Sequence, residues 1–226
     1  MANTKGRVQS ILAGSLIAAG LTFAASATAG TIVGSKHDFA AQAWNGSNEI
    51  CIVCHTPHNS STIPDAPLWN HEVTTSTFTT YTSPSFDGVN TIGQPDGSSV
   101  LCLSCHDGTV AVDSYGGAAG GAFTLTGRSN LGTDLSNDHP ISFTYDAALA
   151  TTDPGLFDPT TQTVTIGEGD KQKTGSINDV MLLSGKLQCA SCHDVHNGFT
   201  QGPVTTNKLL RINRLGSQIC LACHNK

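Results

Sequence analysis

The chain has 226 residues with 11 Lys and Arg against 17 Asp and Glu, a formal net charge of -6, and only 12% charged residues. An acidic balance argues against nucleic acid or an anionic membrane surface as the main partner. Aromatic residues are 6%, glycines number 24, and no segment carries a long periodic apolar pattern, so little core is expected from polypeptide alone.

Lys5 and Arg7 precede an apolar run from Ile11 to about Ala25, and Ala27-Thr28-Ala29 offers small residues for cleavage before Gly30. This pattern is that of a secretory signal peptide over residues 1–29, too short and glycine-broken for a convincing membrane span. Residues 30–226 then form the mature chain, with no transmembrane segment expected in it. Secretion is expected, to an extracellular or outer-surface location, with the periplasm as the alternative.

The eight cysteines all fall in one pattern. Cys51-Ile-Val-Cys54-His55, Cys102-Leu-Ser-Cys105-His106, Cys189-Ala-Ser-Cys192-His193 and Cys220-Leu-Ala-Cys223-His224 each read Cys-x-x-Cys-His. Disulfides explain an even count but not the histidines, and zinc ribbons have no need of histidine at the following position every time. The spacing is that of covalent haem c attachment. Two thiols form thioethers and the adjacent imidazole, from His55, His106, His193 or His224, is the proximal iron ligand. Four haems on the mature chain leave roughly fifty residues for each, so the macrocycles themselves are expected to form the core and the haem-free chain to be largely unfolded.

Five histidines remain as candidate distal ligands: His37, His58, His71, His139 and His196. His37 stands on an N-terminal arm about a dozen residues ahead of the first motif, within reach of a haem on its own or a neighbouring subunit. His58 and His196 each lie three positions after a motif histidine, on the same face of a helical turn, and so suit an adjacent haem rather than their own. His71 follows Trp69, and His139 precedes Pro140 in an extended conformation. After processing the only methionine is Met181, so His/Met ligation reaches one haem at most and bis-histidine ligation at all four is the economical reading. One histidine is surplus.

Residues 61–100 read as proline-punctuated surface coil, with Asp96-Gly97 turning into the second motif. A glycine- and alanine-rich loop runs from the second motif to Gly132. Residues 141–145 and 163–166 alternate well enough to pair as a small hairpin over a haem face. Ser176 to Leu183 reads as a short helix stopped by Gly185, while Leu209 and Leu210 suit a haem edge and Arg211 and Arg214 the propionates. A motif with a trailing histidine followed by a simple motif occurs twice, suggesting two dihaem units over about 30–140 and 141–226.

The phrases Cys51-Ile-Val-Cys-His-Thr-Pro-His58, Leu101-Cys-Leu-Ser-Cys-His-Asp-Gly-Thr109, Asp138-His-Pro-Ile-Ser142 and Leu209-Leu-Arg with Gly216-Ser and Cys220-Leu-Ala-Cys-His224 resemble the doubled-motif multihaem c-type cytochromes. With its size and signal peptide the chain is similar to the OmcE-type tetrahaem cytochromes that polymerise into extracellular filaments. The resemblance implies a multihaem cytochrome c fold, mostly coil with a few short helices and a minor β-hairpin around four covalent haems. It also implies a homopolymer joined through haem-to-haem contacts, other redox proteins or extracellular acceptors as partners, and His37 as the first candidate for a ligand crossing between subunits. Electron transfer without catalytic residues is the expected function. A monomeric periplasmic shuttle and a multihaem oxidoreductase subunit are the alternatives.

Overall fold

The computed structural model describes residues 32–63, 66–121, 123–200 and 208–226. The segment expected to be a signal peptide lies outside the described residues. Strands β1 (Ser61–Ile63) and β2 (Ala66–Trp69) pair antiparallel, and helix α1 (Gly97–His106) follows. Next come β3 (Phe143–Thr144), α2 (Ala147–Thr152), β4 (Thr163–Ile166), β5 (Lys173–Ser176) and α3 (Ile177–Val180). Strand β6 (Lys186–Leu187), helix α4 (Cys189–Cys192) and helix α5 (Gln218–Leu221) complete the order.

Local chemistry explains several of these elements. Asp96, extended, and Gly97, at φ +50°, open α1 where the Asp-Gly pair was expected to turn the chain. Ser176 caps α3, its hydroxyl accepting from the Asp179 amide at 3.2 Å, but the helix ends at Val180, before the expected stop at Gly185, which sits at φ +74°. In β4 the pattern alternates, with Val164 and Ile166 inward and Thr163 and Thr165 outward. The tight link to β5 needs Gly167, which sits at φ +78°, where an added Cβ would come within 2.6 Å of the Lys171 carbonyl oxygen.

The expected hairpin is not the one formed. β4 pairs with β5, Thr163 facing Ser176 and Ile166 facing Lys173, whereas Phe143 of β3 faces Leu187 of β6. Residues 61–100 also carry more structure than surface coil, holding β1, β2 and the first turn of α1, with Phe78 buried.

The larger correction concerns the core. Phe143, Tyr145, Val164, Ile166, Ile177, Val180, Met181, Leu182, Leu187, Ile212 and Ala222 pack as one buried cluster, and Phe78, Leu103 and Leu135 form a second with Ile141 at its edge. The chain is therefore not a coil whose only core is four macrocycles. It is a mixed α/β arrangement, with three two-stranded sheets and five short helices among the described residues, and it buries apolar side chains against one another. Met181, 1% exposed and packed in the first cluster, is part of this core rather than an iron ligand. The N-terminal arm is not free either. Phe39, Trp44, Tyr115 and Phe123 form a run of ring contacts, and buried Asn45 donates to the carbonyls of Phe39 and Glu49 at 3.0 Å each.

Contacts cross the boundary between the two expected dihaem units. Lys186 pairs with Asp96, and Phe86 meets Phe143 edge to face at 5.4 Å. Among the described residues no helix is long and apolar enough to cross a membrane.

Candidate functional site

Each motif is a single helical turn. The backbone amides of His55, His193 and His224 donate to the carbonyls of Cys51, Cys189 and Cys220 at 2.8, 3.0 and 2.9 Å, and the second motif completes α1. This i to i+4 closure places both thiols and the imidazole on adjoining positions of one turn. No two cysteines are joined as a disulfide. In the first and fourth motifs the second thiol is the sheltered one, since Cys51 and Cys220 are exposed. Burial pushes Cys54 and Cys192 up to about 11, and Cys105 and Cys223 up to about 12, so all four are protonated at neutral pH.

Three motif imidazoles are aimed in the same way. The Nδ1 atoms of His55, His106 and His193 lie 2.8, 2.7 and 2.9 Å from the carbonyl oxygens of Pro67, Ser129 and Lys208. Such a bond makes Nδ1 the donor and leaves the Nε2 lone pair as the free coordinating atom, the second contact by which metal-binding histidines are usually fixed. The carbonyls are supplied by segments bridging back to the motif. Trp69 bridges His55 and Leu210 bridges His193, while the Leu131 amide donates to the His106 carbonyl at 2.6 Å.

Three of the five other histidines face a motif histidine. Ring centres are 6.0 Å apart for His37 and His106, 6.1 Å for His55 and His196, and 6.3 Å for His139 and His224. With a metal–imidazole bond of about 2 Å on each side and ring centres about 1 Å behind their nitrogens, one metal between two imidazoles needs a separation on the order of 6 Å. His106, His55 and His224 are each paired with a second imidazole at this separation.

The remaining assignments are corrected. Bis-histidine pairing at all four motifs is not what the chain assembles, because among the described residues His193 has no facing imidazole at this separation. His58 is exposed, in a turn where Thr56 Oγ1 donates to the His58 carbonyl at 3.0 Å. His71 is 2% exposed, with Nδ1 2.7 Å from the Glu72 carbonyl and Nε2 3.1 Å from the Ala111 carbonyl, so both its nitrogens are engaged by backbone. Like His58, it faces no motif histidine among the described residues. His37 is lowered to about 4 by burial and by the neighbouring His106 and His193, and its Nδ1 is buried without a partner. It lies against its own chain's second motif. The expectation that it reaches a neighbouring subunit is corrected accordingly, and the polymer expectation that leaned on it loses its named ligand.

Arg211 does not reach out as a free propionate partner. Its guanidinium donates to the Val180 carbonyl at 2.9 Å, and burial lowers its pKa.

The metal expectation is corrected in scope. Among the described residues no group of three or more His, Cys, Asp or Glu is arranged to hold a metal ion, so these residues build no protein-only metal cage and nothing supports the zinc alternative. A haem group would ask the protein for at most two iron ligands, fewer than such a cage supplies. Whether haem fits rests on the Cys-x-x-Cys-His turns and facing imidazoles.

Four groups that the sequence reading passed over organise the site. Gln188 is 2% exposed; its amide oxygen accepts from Ser99 and, at 3.0 Å, from Ser142, while its amide nitrogen donates to Asp96 at 2.8 Å. Ser99, one turn ahead of Cys102, accepts the Cys189 amide at 3.0 Å and so ties α1 to α4. Asp107 and Asp194, each next after a motif histidine, are buried turn formers. Asp107 accepts the Thr109 amide at 2.7 Å, and Asp194 accepts the amides of His196 and Phe199 at 3.1 and 2.8 Å. The repeated His-Asp pair was the available signal for the last two. Comparison with protein families and with curated proteins gives no match for the chain.

Proposed function

We propose that the chain is an exported electron carrier that takes haem c at its Cys-x-x-Cys-His turns. The observation that carries this reading is the facing of a second imidazole, at a common separation of 6.0 to 6.3 Å, toward three of the four motif histidines. The Nδ1 bonds of His55, His106 and His193 support it, since they leave Nε2 as the coordinating atom.

Cys51, Cys54, Cys102, Cys105, Cys189, Cys192, Cys220 and Cys223 would hold the groups, with His55, His106, His193 and His224 on one side of the irons and His196, His37 and His139 opposite the first, second and fourth. A haem held there would supply one-electron oxidation and reduction. The chain's part is orientation: backbone carbonyls fix the tautomer of three motif histidines, and the Asp194 turn presents His196 to a histidine 141 positions earlier in sequence. That pairing places the first and third motifs side by side. The bond from the Cys189 amide to the Ser99 hydroxyl does the same for the second and third. Adjacent motifs on one fold suit electron passage from site to site.

The test is the absorption spectrum of the exported protein carrying His37→Ala, His139→Ala or His196→Ala. Each variant is expected to convert one haem from low spin to high spin and to bind carbon monoxide when reduced. Unchanged low-spin spectra in all three would overturn the assignment of the pairs.

A further inference from the structure

The sequence holds two Asn-x-Ser tripeptides, Asn45-Gly46-Ser47 and Asn59-Ser60-Ser61. In exported chains this is the acceptor pattern for a sugar carried on the asparagine side-chain nitrogen. The fold treats the two in opposite ways. Asn45 is 1% exposed, its amide nitrogen donates to the carbonyls of Phe39 and Glu49 at 3.0 Å each, and its amide oxygen accepts from the Ser47 hydroxyl at 2.8 Å. Both protons of that nitrogen are used inside the protein, so a sugar there would break a buried bond and displace the packed arm. Asn59 is exposed, at φ +56°, a left-handed position that asparagine tolerates. Its turn is held by others: Thr56 Oγ1 donates to the His58 carbonyl at 3.0 Å, and Ser61, also exposed, opens β1 opposite Trp69. Among the described residues the Asn59 side chain makes no hydrogen bond.

We propose that Asn59 is an N-glycosylation site, modified in the course of export by a lipid-linked oligosaccharide diphosphate. The Asn59 side-chain nitrogen attacks the anomeric carbon of the first sugar. A carbon–nitrogen bond forms there, the bond from that carbon to the diphosphate oxygen breaks, and the lipid diphosphate leaves with the electron pair. One amide proton is lost from the nitrogen, and no redox partner is needed. Ser61 supplies the hydroxyl two positions on that completes the acceptor. With both ends of the tripeptide exposed and the turn fixed by Thr56 and the β1 to β2 pairing, the sugar projects into solvent without disturbing the fold. It would stand beside exposed His58 and add a bulky hydrophilic group to a chain with only 12% charged residues. The site rests on export of the chain, as proposed above, and not on haem.

The experiment takes the protein as its producing cells export it and reads its peptides by mass, with fragmentation that locates the sugar. Cleavage after Glu49 and Glu72 puts Asn45 and Asn59 on separate peptides. Sugar is expected on Asn59 in more than half of the molecules and none on Asn45. Asn59→Gln and Ser61→Ala should each lower the modified fraction at least tenfold, and Ser61→Thr should restore it. An exported chain with residues 1–29 removed and Asn59 bare, sugar on Asn45, or sugar retained in Ser61→Ala would each overturn the proposal. A chain kept in the cell with residues 1–29 attached would overturn the export reading and this site with it. Asn59→Gln removes sugar mass and leaves haem mass, so the two are counted apart.

Discussion

The first and third motifs are close relatives in sequence, and the structure treats them alike up to the motif histidine and differently beyond it. Both are bridged by a returning segment containing a left-handed leucine, Leu68 at φ +57° or Leu209 at φ +56°, and in both the preceding residue's carbonyl meets the motif histidine's Nδ1. After His193, buried Asp194 takes two backbone amides, and His196 stands 6.1 Å from His55. After His55 the equivalent position is Thr56, followed by Pro57, and His58 stays exposed without a facing imidazole among the described residues. A trailing histidine three positions on is therefore not sufficient, and His37 and His139, which face motif histidines without it, show that it is not necessary. What places it is the acceptor that organises its turn.

The third motif also has deeper foundations, and breaking these should produce the largest effect. Gln188→Ala strands the hydroxyls of Ser99 and Ser142 and one oxygen of Asp96 at a buried junction, and is expected to cost about 3 kcal/mol in urea unfolding. Asp194→Ala removes the acceptor for two amides and is expected to cost about 2 kcal/mol, and to release His196 from His55. Loss of one low-spin haem signal in the exported variant, without a similar loss in Thr56→Ala, would show that the two turns differ as described. On the first motif, Asn70 donates to the Ile52 carbonyl, and Asn70→Ala is expected to cost only about 1 kcal/mol because the backbone bridge remains.

The smallest effect is a pH dependence. Burial alone would raise Asp96, but bonds from Lys186 and Gln188, with the Lys186 charge, hold its carboxyl below the ordinary carboxylate value. A carboxylate with a depressed folded pKa adds stability above about pH 4, its unfolded value, and loses it as pH falls through the folded value. The Asp96 side chain is 47% exposed, so solvent screening keeps the contribution below about 1 kcal/mol. Urea midpoints at pH 6 and pH 3 for wild type and Asp96→Asn should converge at the lower pH; an unchanged gap would remove the ionised carboxylate as its source.

Legibility followed the range of the interactions. The four motif turns, the Asp96-Gly97 entry to α1 and the Ser176 cap of α3 are local, and they can be read from neighbouring residues. Strand pairing could not be. Phe143 pairs with Leu187 because both belong to one buried cluster, and nothing in either short segment names the other. The low aromatic content hid that cluster, which is assembled largely from aliphatic residues scattered between 143 and 222. Among the histidines, the second nitrogen of His71 is met by Ala111, forty positions away, a contact that no neighbouring residue announces.

The central claim is that the Cys-x-x-Cys-His turns take haem covalently, and the intact mass of the exported chain under denaturing conditions tests it most directly. The account predicts a mass equal to residues 30–226 plus four haems, apart from sugar on Asn59, with all eight cysteines resistant to alkylation. A mass equal to the polypeptide alone, with eight alkylatable thiols after reduction, would contradict it.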